Sequence, residues 1–146
     1  MGVKVEKKFD FSRIRFDLSK ELNLFGQIVR KDHVSRLEKG QGVDGSKMEK
    51  LKQATIKRKG SSKILVDTGK MRNLVIEKAT KKNQVVEIYP GKKATRNGVS
   101  NQQIGYYHQT GAGHLPERKW FGISKKAEID AIKMVEMRIE QELNRA

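Results

Sequence analysis

Three histidines, a few carboxylates in turns and a run of lysines are the residues of this chain whose types could do chemistry. His108 and His114 stand six apart in Gly105-Tyr-Tyr-His-Gln-Thr-Gly-Ala-Gly-His. Zinc needs three or four ligands at suitable spacing. Adding Asp67, Glu117 or His33 completes no such set, so the sequence implies no metal. A histidine beside tyrosine and glutamine reads as a packed, hydrogen-bonded side chain. Asp44-Gly-Ser46 has the look of a calcium loop, but it lacks the alternating carboxylates and the distant bidentate glutamate. Gly40-Gln-Gly lacks the closing Gly-Lys-Ser/Thr of a phosphate loop, and no Gly-x-Ser-x-Gly elbow occurs. There is no cysteine, which removes disulfides, thiolate metal sites and a cysteine nucleophile. Asp67-Thr68-Gly69 reads as a turn whose side chains bond nearby amides. The sequence therefore gives no catalytic constellation and no cofactor.

What remains is charge. The 146 residues carry 32 Lys and Arg against 17 Asp and Glu, a net +15. That balance speaks of partners rather than of fold: nucleic acid, an anionic membrane or an acidic protein face. The excess lies upstream of residue 123; the last stretch is neutral. Its densest part is Thr55-Ile-Lys57-Arg58-Lys59-Gly-Ser-Ser-Lys63, read as a basic loop. A second group is Lys92, Lys93 and Arg96. Both read either as solvated loops or as phosphate contacts. No helix-turn-helix, zinc-finger or RNA-binding signature accompanies them. No apolar run reaches the length of a membrane span, and Met-Gly-Val-Lys-Val-Glu-Lys-Lys lacks the apolar core of a secretory leader.

The elements that must position these residues follow from periodicity. Val3, Val5 and Phe9 alternate with charges as a first strand. Ser12 caps a helical region over 13–39, read as one long helix or as two joined at a break or kink near Asn23 and Gly26. Its face is Ile14, Leu18, Leu22, Phe25, Ile28 and Val29, continued by Val34 and Leu37. A basic loop region covers 40–63, with a short helix over Met48, Leu51 and Ala54. A hairpin covers 70–90: Leu74 and Ile76, a turn at Lys81-Lys-Asn-Gln, then Val85, Val86, Ile88 and Tyr89. A loop and short helix span 91–111, with Ser100 and Gln103 as a capping box and Gly111 as its stop. After the turn at Pro116, a strand covers 118–122. Tyr106, Tyr107, Trp120 and Phe121 are expected mostly as core. Ser124 caps a last helix, 124–144, with the stripe Ile129, Ile132, Val135, Ile139 and Leu143 expected to pack on the sheet or on another subunit. The fold class is α+β: one domain over 1–146, with a small antiparallel sheet flanked by a long N-terminal helix (or two) and a long C-terminal one.

Two resemblances bear on function. Ile64-Leu-Val-Asp67-Thr68-Gly69 looks like the signature of retropepsin-like aspartic proteases. That resemblance implies paired carboxylates at a two-fold axis, whose repulsion splits their pKa values. Lys70 stands where that family has a small residue, and neither its later apolar-apolar-glycine strand nor its glycine-rich flap is found.

The second resemblance is wider. Gly42-Val-Asp-Gly-Ser, Leu51-Lys-Gln-Ala-Thr-Ile-Lys-Arg-Lys and Ile64-Leu-Val-Asp-Thr-Gly-Lys-Met-Arg72 come in one order. Tyr106-Tyr-His108-Gln109-Thr-Gly111 follows, then Leu115-Pro116-Glu-Arg118-Lys-Trp-Phe121-Gly122 and a closing helix. In order and spacing this resembles the phage virion morphogenesis family, the tail completion proteins of tailed phages and Mu-like prophages, over roughly residues 40–143. The resemblance implies a virion structural protein at the head–tail junction, or neck, made in the host cytoplasm, and not an enzyme. Its implied partners are copies of itself in a ring around the DNA channel, connector or portal-side proteins, the tail tube, and packaged DNA. No membrane and no small-molecule substrate are implied. Asp67, Thr68 and Gly69 become a structural turn, Gly111 a turn position, and Arg118 and Phe121 anchors of the return strand. A small basic DNA-binding protein is the alternative from another class.

Overall fold

The computed structural model describes residues 17–65, 70–91 and 98–145. The first strand expected over residues 3–9, the Ser12 cap and the turn Asp67-Thr68-Gly69 lie outside them, as do Lys92, Lys93 and Arg96. The fold is α+β. Helix α1 spans Ser19–Lys39, α2 Gln53–Lys59, α3 Asn101–Thr110 and α4 Lys125–Arg145, and the strands are β1 Leu74–Glu77 and β2 Glu87–Pro90. A single 3-10 turn, Lys70–Arg72, leads into β1.

The hairpin forms, but Val85 and Val86, expected in its second strand, lie in the connection before β2. β1 and β2 pair antiparallel, from Leu74 opposite Pro90 to Glu77 opposite Glu87. A two-stranded ribbon is marginal on its own in water, so it needs a helix against it. α1 supplies that helix, and of the two readings, one helix or two joined near Asn23 and Gly26, the first holds: α1 runs unbroken from Ser19 to Lys39. Both residues serve the close approach of helix to ribbon. A Cβ on Gly26 would lie 3.2 Å from Ile76 Cγ2 and from Val86 Cγ2. Asn23 donates from Nδ2 to the Ala79 carbonyl at 3.1 Å, and its Oδ1 accepts the Ala79 N–H at 2.8 Å. A side-chain amide thus stands in for a third strand where β1 ends. At the start of α1, Gln84 Oε1 accepts the Leu18 N–H at 2.7 Å, tying the helix to the hairpin connection. Asp17 accepts from both the N–H and the hydroxyl of Ser19.

α1 ends on Gly40 in the left-handed region, φ 66°. The Gly40 N–H bonds the Leu37 carbonyl and the Gln41 N–H bonds that of Arg36, the paired geometry of a Schellman cap. The chain then makes a tight loop. Gln41 bridges Lys47, and Asp44 Oδ1 accepts from the Ser46 N–H and hydroxyl. The short helix expected over 48–54 begins only at Gln53. It takes in Thr55-Ile-Lys-Arg-Lys, which was expected as loop. No breaker occurs in that run until Gly60, whose positive φ and bond to the Ile56 carbonyl end α2.

α3 forms as its capping box dictates. Ser100 Oγ accepts the Gln103 N–H, Gln103 Oε1 accepts the Ser100 N–H, and Gly111 closes it at φ 68°. Ser124 caps α4, accepting the Ala127 N–H at 3.2 Å. α4 packs along α1 and not on the ribbon. Arg138 reaches Glu21 at the start of α1, while Ala127 and Asp130 face Ile28, Asp32 and Ser35 further along it, so the two helices run antiparallel. The face turned to α1 holds Ala127, Asp130 and Arg138. The expected stripe does not pack on the sheet: Ile129, Ile132, Ile139 and Leu143 remain exposed and Val135 is half-buried.

Changing Asn23 to Ala should leave the Ala79 peptide unpaired in a half-buried position and lower stability by about 1–3 kcal/mol. The check is the urea midpoint, with helix content before unfolding unchanged.

Candidate functional site

Residues 105–122 were expected as helix, turn and strand around a group of rings. The helix and turn form, but the strand over 118–122 does not. A strand needs a neighbouring edge to satisfy its backbone, and none of the described strands lies beside it. Four other groups do that work. The Val43 N–H donates to the Lys119 carbonyl at 2.8 Å, and the Arg118 N–H to the His108 carbonyl at 2.7 Å. Gln109 Oε1 accepts the N–H groups of both Trp120 and Phe121, at 3.1 and 3.2 Å. Arg36 Nη1 donates to the Trp120 carbonyl at 3.2 Å. An irregular segment can be buried only when its peptides are paired in this way.

Trp120 is the side chain so positioned. It is 1% exposed and packs with Leu37, Met48, Ile64, Leu65 and Met71. Its Nε1 donates to the Gly105 carbonyl at 2.9 Å. A Cβ on Gly105 would collide with the indole ring, so the glycine in the middle of α3 is a seat for the tryptophan. Phe121 is half-buried against Trp120 and His33. Tyr106 and Tyr107, by contrast, are not core: Tyr106 is 64% exposed, and the two rings meet edge to face on the surface. They sit on the face of α3 opposite Asn101 and Gly105, which are the buried ones.

Arg118 is 4% exposed, and its Nε and Nη2 both donate to the Glu49 carbonyl. It thus pins the start of the 47–52 segment to the return segment. Gly111 leaves room for the chain to double back, since a Cβ there would meet the Glu117 nitrogen at 3.0 Å. Gly122, at φ 150°, packs against Val43. Pro116 is half-buried in the turn. Arg72 pairs with Glu38 on α1. His108 is half-buried, with its Nδ1 unpartnered among the described residues.

His33 and Arg36 are the residues that apolar periodicity passed over. Both lie on the buried face of α1, with Gly26, Val29 and Leu37. His33 is 1% exposed, donates from Nε2 to the Met71 carbonyl at 3.0 Å and lies tilted against the Trp120 ring. The signal that would have found them is the 26-29-33-36/37 spacing itself, which continues the helix face through polar residue types.

On the outer side lies a basic ridge. Lys57 and Arg58 on α2 are exposed, and Lys59 Nζ donates to the Lys63 carbonyl at 2.7 Å. α2 buries none of its residues. Lys50, Lys52 and the Lys63 side chain add exposed charge at its two ends. Among the described residues no group of three His, Cys, Asp or Glu could hold a metal ion, and no helix is long and apolar enough to cross a membrane. No family model, curated protein or solved structure matches the chain.

Burial holds the His33 imidazole below its ordinary value near 6.5, with the Arg36 cation adding to the effect. Burial does the same at His108, aided by Arg118 and Lys59. Below pH 6.5 the unfolded chain takes up protons that these folded imidazoles refuse. Their contribution is therefore complete above that pH and is lost as pH falls towards their depressed folded values. The urea midpoint should drop steadily between about pH 7 and pH 5, where ordinary carboxylates are still ionised. Changing His33 to Gln, which keeps a donor for Met71, should flatten that fall; a profile equally steep in the variant contradicts the assignment.

Proposed function

We propose that this chain is a virion structural protein of the phage tail completion type. In this reading it acts at the head–tail junction as a subunit assembled with copies of itself around the DNA channel. It performs no catalysis and takes no cofactor. Its other partners are connector or portal-side proteins, the tail tube and the packaged DNA.

One observation carries the reading. Two polar residues of the resembling motifs, Gln109 and Arg118, hold backbone with their side chains. Gln109 takes the amides of Trp120 and Phe121, Arg118 takes the Glu49 carbonyl, and the His108 carbonyl takes the Arg118 amide. Polar side chains used this way fix a shape and present no reacting group. Outside that frame, Tyr106, Tyr107 and Leu115 remain on the surface. Exposed tyrosines on a rigid element are common anchors of protein interfaces. A phage with a stop codon early in this gene should yield filled heads and separate tails under negative stain, with infectivity restored by the protein supplied in trans. Infectious particles from the mutant would remove the reading.

The basic ridge on α2 favours a second reading, a non-specific DNA-binding protein, and the two are compatible if the ridge lines the channel. Purified protein should bind duplex DNA of any sequence and release it steeply as salt rises. Lys57→Glu with Lys63→Glu should weaken binding equally across sequences and reduce the salt slope. Binding that is absent at low salt leaves the ridge as a docking face for acidic protein.

A further inference from the structure

α4 carries an apolar face that nothing among the described residues covers. Ile129, Ile132, Ile139 and Leu143 are between 37% and 49% exposed, and Ile123 just before the helix is 52% exposed. With Glu136 they fall at steps of three, four, three and four, the spacing of a coiled-coil seam. The opposite face of the same helix packs on α1, where Arg138 is bonded to Glu21 and Glu142. The strip is on the order of a few hundred Å² of contiguous apolar surface, a size at which exposed patches mark interaction sites.

Charge says what sits there. The chain as a whole is +15, yet α4 carries five basic and five acidic residues. The whole excess therefore lies outside α4. A second copy approaching by its basic parts is repelled, whereas α4 against α4 brings no net charge together. DNA or an acidic protein face finds its complement elsewhere and gains nothing from isoleucines. The strip is also self-complementary. Turned end for end about Glu136, it sets Ile129 of each copy against Leu143 of the other. The same turn sets Lys133 of each copy beside Glu140 of the other, on one side of the seam.

We propose that this strip of α4 is where two copies of the chain meet, helix to helix and antiparallel. Glu136 lies at the centre of the seam and opposes its own counterpart. A polar seam residue fixes the register at a cost in strength. The inference deepens the self-assembly part of the neck reading: a two-fold contact of this kind joins copies in pairs, so any closed ring containing it has an even number of subunits.

The test is sedimentation of the full-length protein. Self-contact through a neutral apolar seam between two strongly positive bodies strengthens as salt screens their repulsion. DNA binding does the reverse. From low salt to about 1 M, the mass should rise from the 16.7 kDa of one chain towards twice that. Ile139→Glu should abolish the rise while leaving the helical signal and unfolding midpoint unchanged. Glu136→Leu should bring the transition to lower salt. Because the chain has no cysteine, Glu136→Cys offers a direct reading. Mild oxidation should link two chains through that residue, and a Lys50→Cys control should not. A wild type of single-chain mass at every salt overturns the inference. So does an Ile139→Glu protein that is less stable rather than less associated, since that outcome means the strip is packed within its own chain and not against a second copy. Association that survives Ile139→Glu moves the contact to another surface and overturns the α4 seam. It leaves the neck reading to particle assembly.

Discussion

Burying the peptides around Trp120 is the constraint on which the rest of the structure depends. The indole fills the centre of the core, but the segment that delivers it belongs to no sheet. Every amide and carbonyl from Arg118 to Phe121 that leaves water must find a partner, or the unpaired group offsets much of what the ring gains by burial. The partners come from α1, from the loop after it and from α3. Both helices are in turn fixed by a cap: Gly40 on α1 and the Ser100–Gln103 box on α3. The core is therefore assembled by backbone satisfaction as much as by apolar contact. That explains why so small an apolar fraction, 36% of residues, can hold this arrangement of elements.

The same constraint accounts for the polar residues on the buried face of α1. His33 and Arg36 lie on that face because the segment opposite them needs donors as well as volume. His33 gives one to Met71 and a ring to Trp120; Arg36 gives one to Trp120 and is itself oriented by Asp32 at 2.8 Å. A leucine at either position would fill space and leave a carbonyl bare. The arrangement leaves Nδ1 of His33 and Nη2 of Arg36 without partners among the described residues. This is the concession made where two short-range networks meet in one small core.

How much of this was legible in the sequence depends on whether the signal was local. The capping box at Ser100, the glycine stop at Gly111 and the Ser124 cap are each encoded within a few residues, and all of them appear; the hairpin appears too, with its second strand starting only at Glu87. Apart from α2, whose Thr55–Lys59 read as loop, what failed was long-range. Asn23 and Gly26 look like breakers, and only the ribbon lying against them turns them into a clamp and a clearance. Lys119-Trp-Phe-Gly-Ile has the composition of a strand, and only the missing edge makes it irregular. The aromatic pair Tyr106 and Tyr107 carries the same composition as Trp120 and Phe121. Their fates separate through helix phase, because Gly105 sets which side of α3 faces the indole. Glu49, whose carbonyl holds Arg118, carried no sequence signal at all, since a main-chain oxygen belongs to every residue.

The two outer surfaces follow from this economy. Among the described residues, a core that closes around α1, α3 and the return segment buries no residue of α2 and covers only one of the two faces of α4. Those are the two places where the sequence is free to answer to something other than its own stability. It answers differently at each: lysine and arginine on α2, isoleucine and leucine with balanced charge on α4. A chain needing only solubility would carry the first and not the second, because an uncovered apolar helix face invites association. A chain needing only to bind polyanions would have no reason to keep α4 neutral. Both together fit the subunit proposed above, with charge presented on α2 and apolar surface on α4.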